Sequence, residues 1–368
     1  MRFIRQLVAN FDWGTLLFAL AITGLSVTIL YSATYDRSEI LTRLYLKQLS
    51  WVGLGIVAMS IALCIDYQTL CRYTYVFYGV AILGLIAVLL FGRVINGAQR
   101  WLVFGAWRFQ TSELIKPALI LTLARYLSEE KRQEDALLTL RELLVPLLLL
   151  GLPFLLVVKQ PDLSTAMVLL AIAGTMIGVA GLQRRVIVLG LILSVSAIPI
   201  MWHRLAEYQR NRLLTLFNPQ SDLLGTGYHS WQSKIAIGSG GFWGKGFRAG
   251  TQSHLNFLPE KHTDFIFAVL GEELGFMGAL VLILLFSGLL LRGFIIAYRA
   301  RDRLGVLLAT GVVTLLSVQI FLNMGMTIGL LPILGLPLPL MSYGGSSLVT
   351  TFLCLGLLMN VRMRHFKF

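Results

Sequence analysis

Seven stretches of the chain carry no charged residue over a length that suits a bilayer: Thr15–Thr34, Gln48–Ile65, Tyr73–Phe91, Leu163–Gly181, Leu274–Leu291, Gly305–Leu331 and Ser342–Val361. A membrane-spanning helix needs about 20 apolar residues, because no water is present to satisfy an irregular backbone. Two shorter apolar runs, Leu143–Val158 and Val186–Met201, reach across if flanking residues snorkel or the bilayer thins. A tenth segment, Leu114–Leu127, is apolar but holds Lys116 and Arg125. The sequence therefore predicts an all-α, polytopic integral membrane protein with about ten transmembrane helices. A membrane β-barrel is excluded, since the apolar runs are continuous rather than alternating. The first run reads as a retained span and not as a cleaved leader, because it is long and lacks a convincing cleavage site. A single transmembrane domain over residues 1–368 is expected, with an extracytoplasmic loop at about 202–263 between the seventh and eighth spans.

Composition sharpens the class. Hydrophobic residues make up 57% and charged residues only 13%, which excludes an ordinary soluble domain and a disordered chain. Lys and Arg number 31 against 18 Asp and Glu, a formal charge of +13. In a chain this apolar, the excess points to anionic and phosphorylated lipids, not to nucleic acid. Short connections decide orientation. Arg184-Arg185, Arg299/Arg301/Arg303 and the terminal residues Arg2, Arg5, Arg362, Arg364 and Lys367 fall on one side, which places both termini in the cytoplasm.

The remaining polar residues collect in three stretches assigned to the opposite, outer face. Arg93–Ser112 is expected to be a loop, as is Trp202–Thr263, and a proline-rich Leu331–Met341 leads into Ser342-Tyr343-Gly344-Gly345-Ser346-Ser347. Ser128–Glu142, on the inner side, reads as a solvated surface helix. Gly238–Gly246 is glycine-dense and reads either as a flexible turn or as a nest of backbone N–H groups for a lipid phosphate, with Lys245 as a point charge. Thr263 or Asp264 is suited to cap the helix that follows, or else Asp264 serves chemistry together with Glu272 and Glu273 at the membrane boundary. Glu113 and Lys116, three residues apart, meet on one helix face with Pro117 near its start. They form either a salt bridge that carries a polar turn into the membrane or part of a polar cavity. Asp162 lies in a short turn, Lys159-Gln160-Pro161-Asp162. The histidines (His203, His229, His254, His262, His365) show no zinc-binding spacing.

Taken together, GAQRW (97–101), QTSELIKPA (110–118), KQPDLSTA (159–166), GSGGFWGKG (238–246), LPEKHTDFIFAVLGEELG (258–275) and GLPLPLMSYGGSS (335–347) resemble the SEDS family (shape, elongation, division, sporulation) of bacterial cell-wall polymerases. The motifs occur in family order from about residue 97 to residue 347. The short amino terminus with Asn10-Phe11-Asp12-Trp13 is more like the elongation branch than the division branch. Thr111, Ser164 and Leu334 depart from the usual motif residues, and none of them removes a charge.

The resemblance implies a peptidoglycan glycosyltransferase acting in cell elongation and cell shape. It would join lipid II units, releasing undecaprenyl pyrophosphate, with inversion at the anomeric carbon. The family's essential aspartate falls on Asp264, the expected base, and its paired helix residues fall on Glu113 and Lys116. Arg100, Lys116, Lys245 and Arg248 are expected to hold pyrophosphate, with Gln110, Asp162, Ser342 and Ser346 as further substrate contacts. A divalent cation, Mg²⁺ or Mn²⁺, is implied. So is a partner, a class B penicillin-binding protein, expected near the eighth and ninth spans and the long outer loop. The alternatives are a lipid II transporter and a non-catalytic scaffold of the elongation machinery.

Overall fold

The computed structural model describes residues 10–34, 44–95, 98–104, 107–129, 137–204, 207–217, 226–254, 257–258 and 260–364. Arg2, Arg5, Gly97, Pro259, His365, Lys367 and residues 130–136 of the expected surface helix lie outside them.

Ten long helices appear where the ten spans are expected. They are α1 (Trp13–Thr34), α2 (Leu44–Cys64), α4 (Thr74–Phe91), α5 (Thr111–Ser128), α6 (Leu140–Lys159), α7 (Leu163–Ala180), α8 (Arg184–Arg204), α12 (Ile266–Arg299), α13 (Arg303–Thr327) and α14 (Gly345–Arg364). Short helices fill the gaps: α3 (Tyr67–Arg72), α9 (Glu207–Phe217), α10 (Thr226–Ser239) and α11 (Thr251–His254). Eight of the ten are long and apolar enough to cross a membrane; α5 and α8 are the other two. Helices α5, α13 and α14 form the centre, with α5 buried along most of its length. The outer helices turn Leu17, Leu83, Leu90, Leu148, Leu155 and Leu284 outward, which is a lipid-facing surface and not a packing defect.

Two expected loops have regular structure. Within Arg93–Ser112, strands β1 (Arg93–Ile95), β2 (Ala98–Phe104) and β3 (Trp107–Gln110) form an antiparallel sheet in the order β1-β2-β3. Trp101 pairs with Gln110, and Phe104 with Trp107. The Arg-Trp-Leu-Val-Phe run has the β-branched and aromatic content of a strand. The long connection carries α9, α10 and α11, and Trp202 belongs to the last turn of α8. Pro117 lies in the interior of α5, not at its start, so the Glu113 carbonyl loses its helical donor.

Helix α12 is broken at Gly275, whose φ of 63° is outside the helical region. A gap in a buried helix must be repaired by other protein groups. The glycine-rich segment does so. Lys245 N–H and Gly246 N–H donate to the carbonyls of Glu272 and Glu273, both at 3.0 Å. Phe276 N–H and Met277 N–H donate in turn to Gly241 and Phe242. The segment is thus a splint for α12, and these two N–H groups are engaged by α12 rather than open to a phosphate. Close approach requires its glycines. A Cβ on Gly244, at φ 83°, would run into the Glu273 carbonyl. Gly244→Ala should therefore lower stability by more than about 2 kcal/mol, from left-handed strain plus the clash. Gly151→Ala, in α6 with nothing within 4 Å of the new methyl, should be silent. Thermal unfolding in detergent checks both.

Candidate active site

Helices α5, α7, α12 and α14 all begin at the same place. Their first turns, or the residues just before them, line a cavity of about 490 Å³: Glu113 from α5, Asp162 and Thr165 at α7, Asp264 and Phe265 at α12, Ser346 and Ser347 from α14. The sheet adds Arg100, Trp101 and Gln110, the long connection adds Arg212 and His229, and Ile333–Pro337 closes one wall. Four helix amino termini facing one space favour an anion there, through unpaired N–H groups and aligned dipoles.

Asp264 is at the centre of this geometry. The capping residue of α12 is Phe265, and no side chain caps the helix, so the capping role open to Thr263 or Asp264 in the sequence is taken by neither. Thr263 Oγ1 donates instead to the Glu260 carboxylate at 3.1 Å. The Asp264 carboxyl group is packed among protein atoms but keeps part of its surface open to the cavity. Burial pushes its pKa up to about 7, the nearby Glu260 charge pushes the same way, and Arg100 and Arg212 pull against them. A carboxyl group near neutrality is suited to accept a proton from a sugar hydroxyl.

The backbone around Asp264 is held from two sides. Buried Asn323 of α13 donates to the Asp264 carbonyl at 3.0 Å and to the Leu336 carbonyl at 2.6 Å. Ser342 Oγ donates to the Thr263 carbonyl at 2.5 Å and accepts from Leu338 N–H at 2.8 Å. Gly335, at φ 70°, sits so that a Cβ would come 3.4 Å from Asp264 Oδ2. Ser342 therefore tethers the site and is not among its lining residues.

Asp162 caps α7, accepting from Thr165 N–H at 3.3 Å, Thr165 Oγ1 at 2.9 Å and Ser164 Oγ at 3.0 Å. Its carboxylate also faces Arg100 at 3.8 Å. Arg100 donates to the carbonyls of Gln160 and Pro161, which fixes the sheet over the start of α7. Gln110 N–H donates to Ser346 Oγ at 3.3 Å, linking β3 to α14. Glu113 and Lys116 form a buried ion pair at 2.7 Å, with Glu113 on the cavity wall and Lys116 behind it.

Lys245 and Arg248 lie apart from the lining. Lys245 Nζ pairs with buried Glu272 at 2.8 Å and donates to Thr251 at 2.7 Å. Arg248 N–H donates to Ser32 Oγ at 3.1 Å, and Ser32 bonds Glu273 at 2.6 Å. Glu272 and Glu273 thus hold the splint together. The cavity instead recruits Arg212 and His229, which no local motif distinguishes, and Glu260, which lies in the 258–275 motif without standing out there as a site residue. Asn323, like Gln319 an amide inside an apolar run, is a signal the sequence does carry, since a buried amide needs partners.

The fold and its cavity define a multi-pass membrane protein with its polar site where helices begin near one end of the bundle. The model for the FtsW, RodA and SpoVE family, described as cell cycle protein, matches residues 13–367, and the chain belongs to that family. It is 42% identical to the peptidoglycan glycosyltransferase MrdB of Escherichia coli K12, over 96% of this chain and 93% of that protein. It is 33% identical to the peptidoglycan glycosyltransferase RodA of Treponema pallidum, over 97% and 99%. Among solved structures it resembles the rod shape determining protein RodA of Thermus thermophilus (TM-score 0.72, 31% identity, 97% of this chain and 98% of that one). It also resembles a chain solved in a peptidoglycan synthase complex (TM-score 0.83, 33% identity, 97% and 99%).

Two outcomes are expected. Raising the Asp264 pKa means that the folded protein holds a proton the unfolded chain has released, so its stability contribution is lost as pH rises from about 4 to about 7. Asp264→Asn should gain Tm relative to wild type at pH 8 and little at pH 4, measured in cation-free detergent buffer. Lys116→Met should cost about 3–5 kcal/mol by leaving Glu113 buried and unpaired, and adding Glu113→Gln should recover much of that. A double-mutant cycle on thermal unfolding reads the coupling.

Proposed function

We infer that the chain is a peptidoglycan glycosyltransferase of the elongation type, with Asp264 as the general base. The observation that carries this reading is Asp264 itself, a carboxyl group shifted to about 7, spent on no helix cap and facing a cavity ringed by four helix amino termini. The reaction joins a C4 hydroxyl of one lipid-linked disaccharide to the anomeric carbon of another. The proton of the attacking hydroxyl goes to Asp264, the new glycosidic bond forms, and the bond to undecaprenyl pyrophosphate breaks with inversion. Pyrophosphate leaves without a protonating acid, so a second catalytic carboxyl group is not required. Arg100, Arg212 and the helix amino termini hold the anion; Lys116 pairs with Glu113 from behind the wall.

No cluster of three His, Cys, Asp or Glu side chains exists among the described residues, so the site has no all-protein metal cage. The donor set suits a hydrated Mg²⁺ or Mn²⁺ that takes one or two carboxylates and completes its shell from substrate phosphates. Glu260 would hold it, and such an ion would neutralise charge on the departing pyrophosphate.

Helix direction supports an outer site and cytoplasmic termini. With the cavity at the start of α7, α12 and α14, the far ends of these helices carry Arg184-Arg185, Arg299, Arg303, Arg362 and Arg364, the basic residues expected inside. A cavity near one end favours an enzyme over a carrier, whose site belongs near the midplane. A class B penicillin-binding protein is the proposed partner, near α12 and α13. The likeness to a chain of a peptidoglycan synthase complex supports it.

Purified wild-type protein should polymerise lipid II, and Asp264→Ala should reduce glycan product by at least about 10²-fold while keeping its elution profile and a cooperative unfolding transition. Undiminished polymerisation by the variant would sink the assignment. EDTA should slow the wild type, with Mg²⁺ or Mn²⁺ restoring it.

A further inference from the structure

A second cavity, of about 190 Å³, lies at the far ends of α12 and α14. Arg292 and Arg299 of α12, Arg362 of α14 and Asn10 line it, together with Ile295, Ile296, Ala300 and Val361. No carboxylate lines it. Asp12 stands behind, fully buried, and engages Arg292, Arg362 at 2.6 Å and Thr15 at 2.6 Å. Among the described residues the local balance is three guanidinium groups to one carboxylate. The carbonyl ends of both helices take up part of that excess and not all of it.

The arrangement is built, not incidental. Asp12 orients Arg292 and Arg362 from below, and their side chains remain only 30% and 35% exposed. The walls are apolar, and Leu291, Phe294 and Ile295 continue outward along α12 as exposed side chains. Trp13 and Tyr298, also exposed, flank the cavity in sequence, as aromatic residues do at headgroup level. The volume is below the roughly 300 Å³ of a drug-sized ligand site, which leaves room for a small anionic group.

We propose that this cavity binds the phosphate of an anionic phospholipid headgroup, with the acyl chains lying along the exposed face of α12. Basic pockets between membrane helices on the cytoplasmic side recognise such headgroups. A free phosphate ion shares the charge chemistry but makes no use of the apolar track. The site is separate from the Asp264 cavity, and its occupancy is read without any glycosyltransferase assay.

The test uses the purified full chain in detergent with three probes: phosphatidylglycerol, phosphatidylcholine with the same acyl chains, and inorganic phosphate. Native mass spectrometry counts retained lipid, and Tm reads stabilisation. Phosphatidylglycerol should be retained and raise Tm; phosphatidylcholine should do neither. Arg299→Gln, at an exposed position outside the Asp12 ion pairs, should weaken phosphatidylglycerol binding about fivefold. Arg362→Gln should add to the loss. Equal retention of the two lipids, or unchanged binding in Arg299→Gln/Arg362→Gln, would overturn the proposal. So would stabilisation by inorganic phosphate without preference for phosphatidylglycerol, which would assign the cavity to the free ion.

Discussion

Backbone hydrogen bonding in a medium without water governs this structure. A helix satisfies itself, and any departure from helix must be repaired by protein. The break at Gly275 is the departure on which the site depends. It ends the short first part of α12, which begins directly after Asp264, and it is repaired by four backbone bonds from residues 241–246. Buried Glu272 and Glu273 serve the same end. Lys245, Thr251 and Gln252 N–H converge on Glu272, and Ser32 meets Glu273. Carboxylates that look reactive in the sequence are here the fasteners of a splice.

The second organising principle is charge placed by helix direction. Four helices start at the Asp264 cavity, bringing N–H groups and dipole ends towards one space. Two of them, α12 and α14, finish with arginines at the opposite end. One pair of helices thereby connects two anion-attracting regions of different chemistry. The upper one places a carboxyl group among arginines, where it can move a proton. The lower one holds the Asp12 carboxylate behind arginines, where it serves to orient them.

The +13 charge of the chain alone points towards anionic lipid without saying where. In the fold, its parts separate. Arg100 and Arg212 reach the cavity. Lys116 and Lys245 are used up by Glu113 and Glu272. Arg292, Arg299 and Arg362 gather at the other end.

The ten spans, the all-α class and the pairing of Glu113 with Lys116 follow from the sequence by itself, because apolar length and three-residue spacing are local quantities. Asp264 was marked by its position before a span, within a motif-rich run. Resemblance singles out Asp264 among the carboxylates, but local sequence does not show how each carboxylate is held. That depends on contacts between residues far apart in the chain: Asn323 holding the Asp264 carbonyl, Phe265 taking the cap position, Lys245 drawn to Glu272. The sheet at 93–110, read from the sequence as a loop, shows there only in the aromatic and β-branched content of its short strands. Arg212 and His229 carry no local signature, and only tertiary packing brings them to the cavity. Desolvation is the physical reason: it is set by the whole surrounding protein, and at Asp264 it raises the carboxyl pKa to about 7.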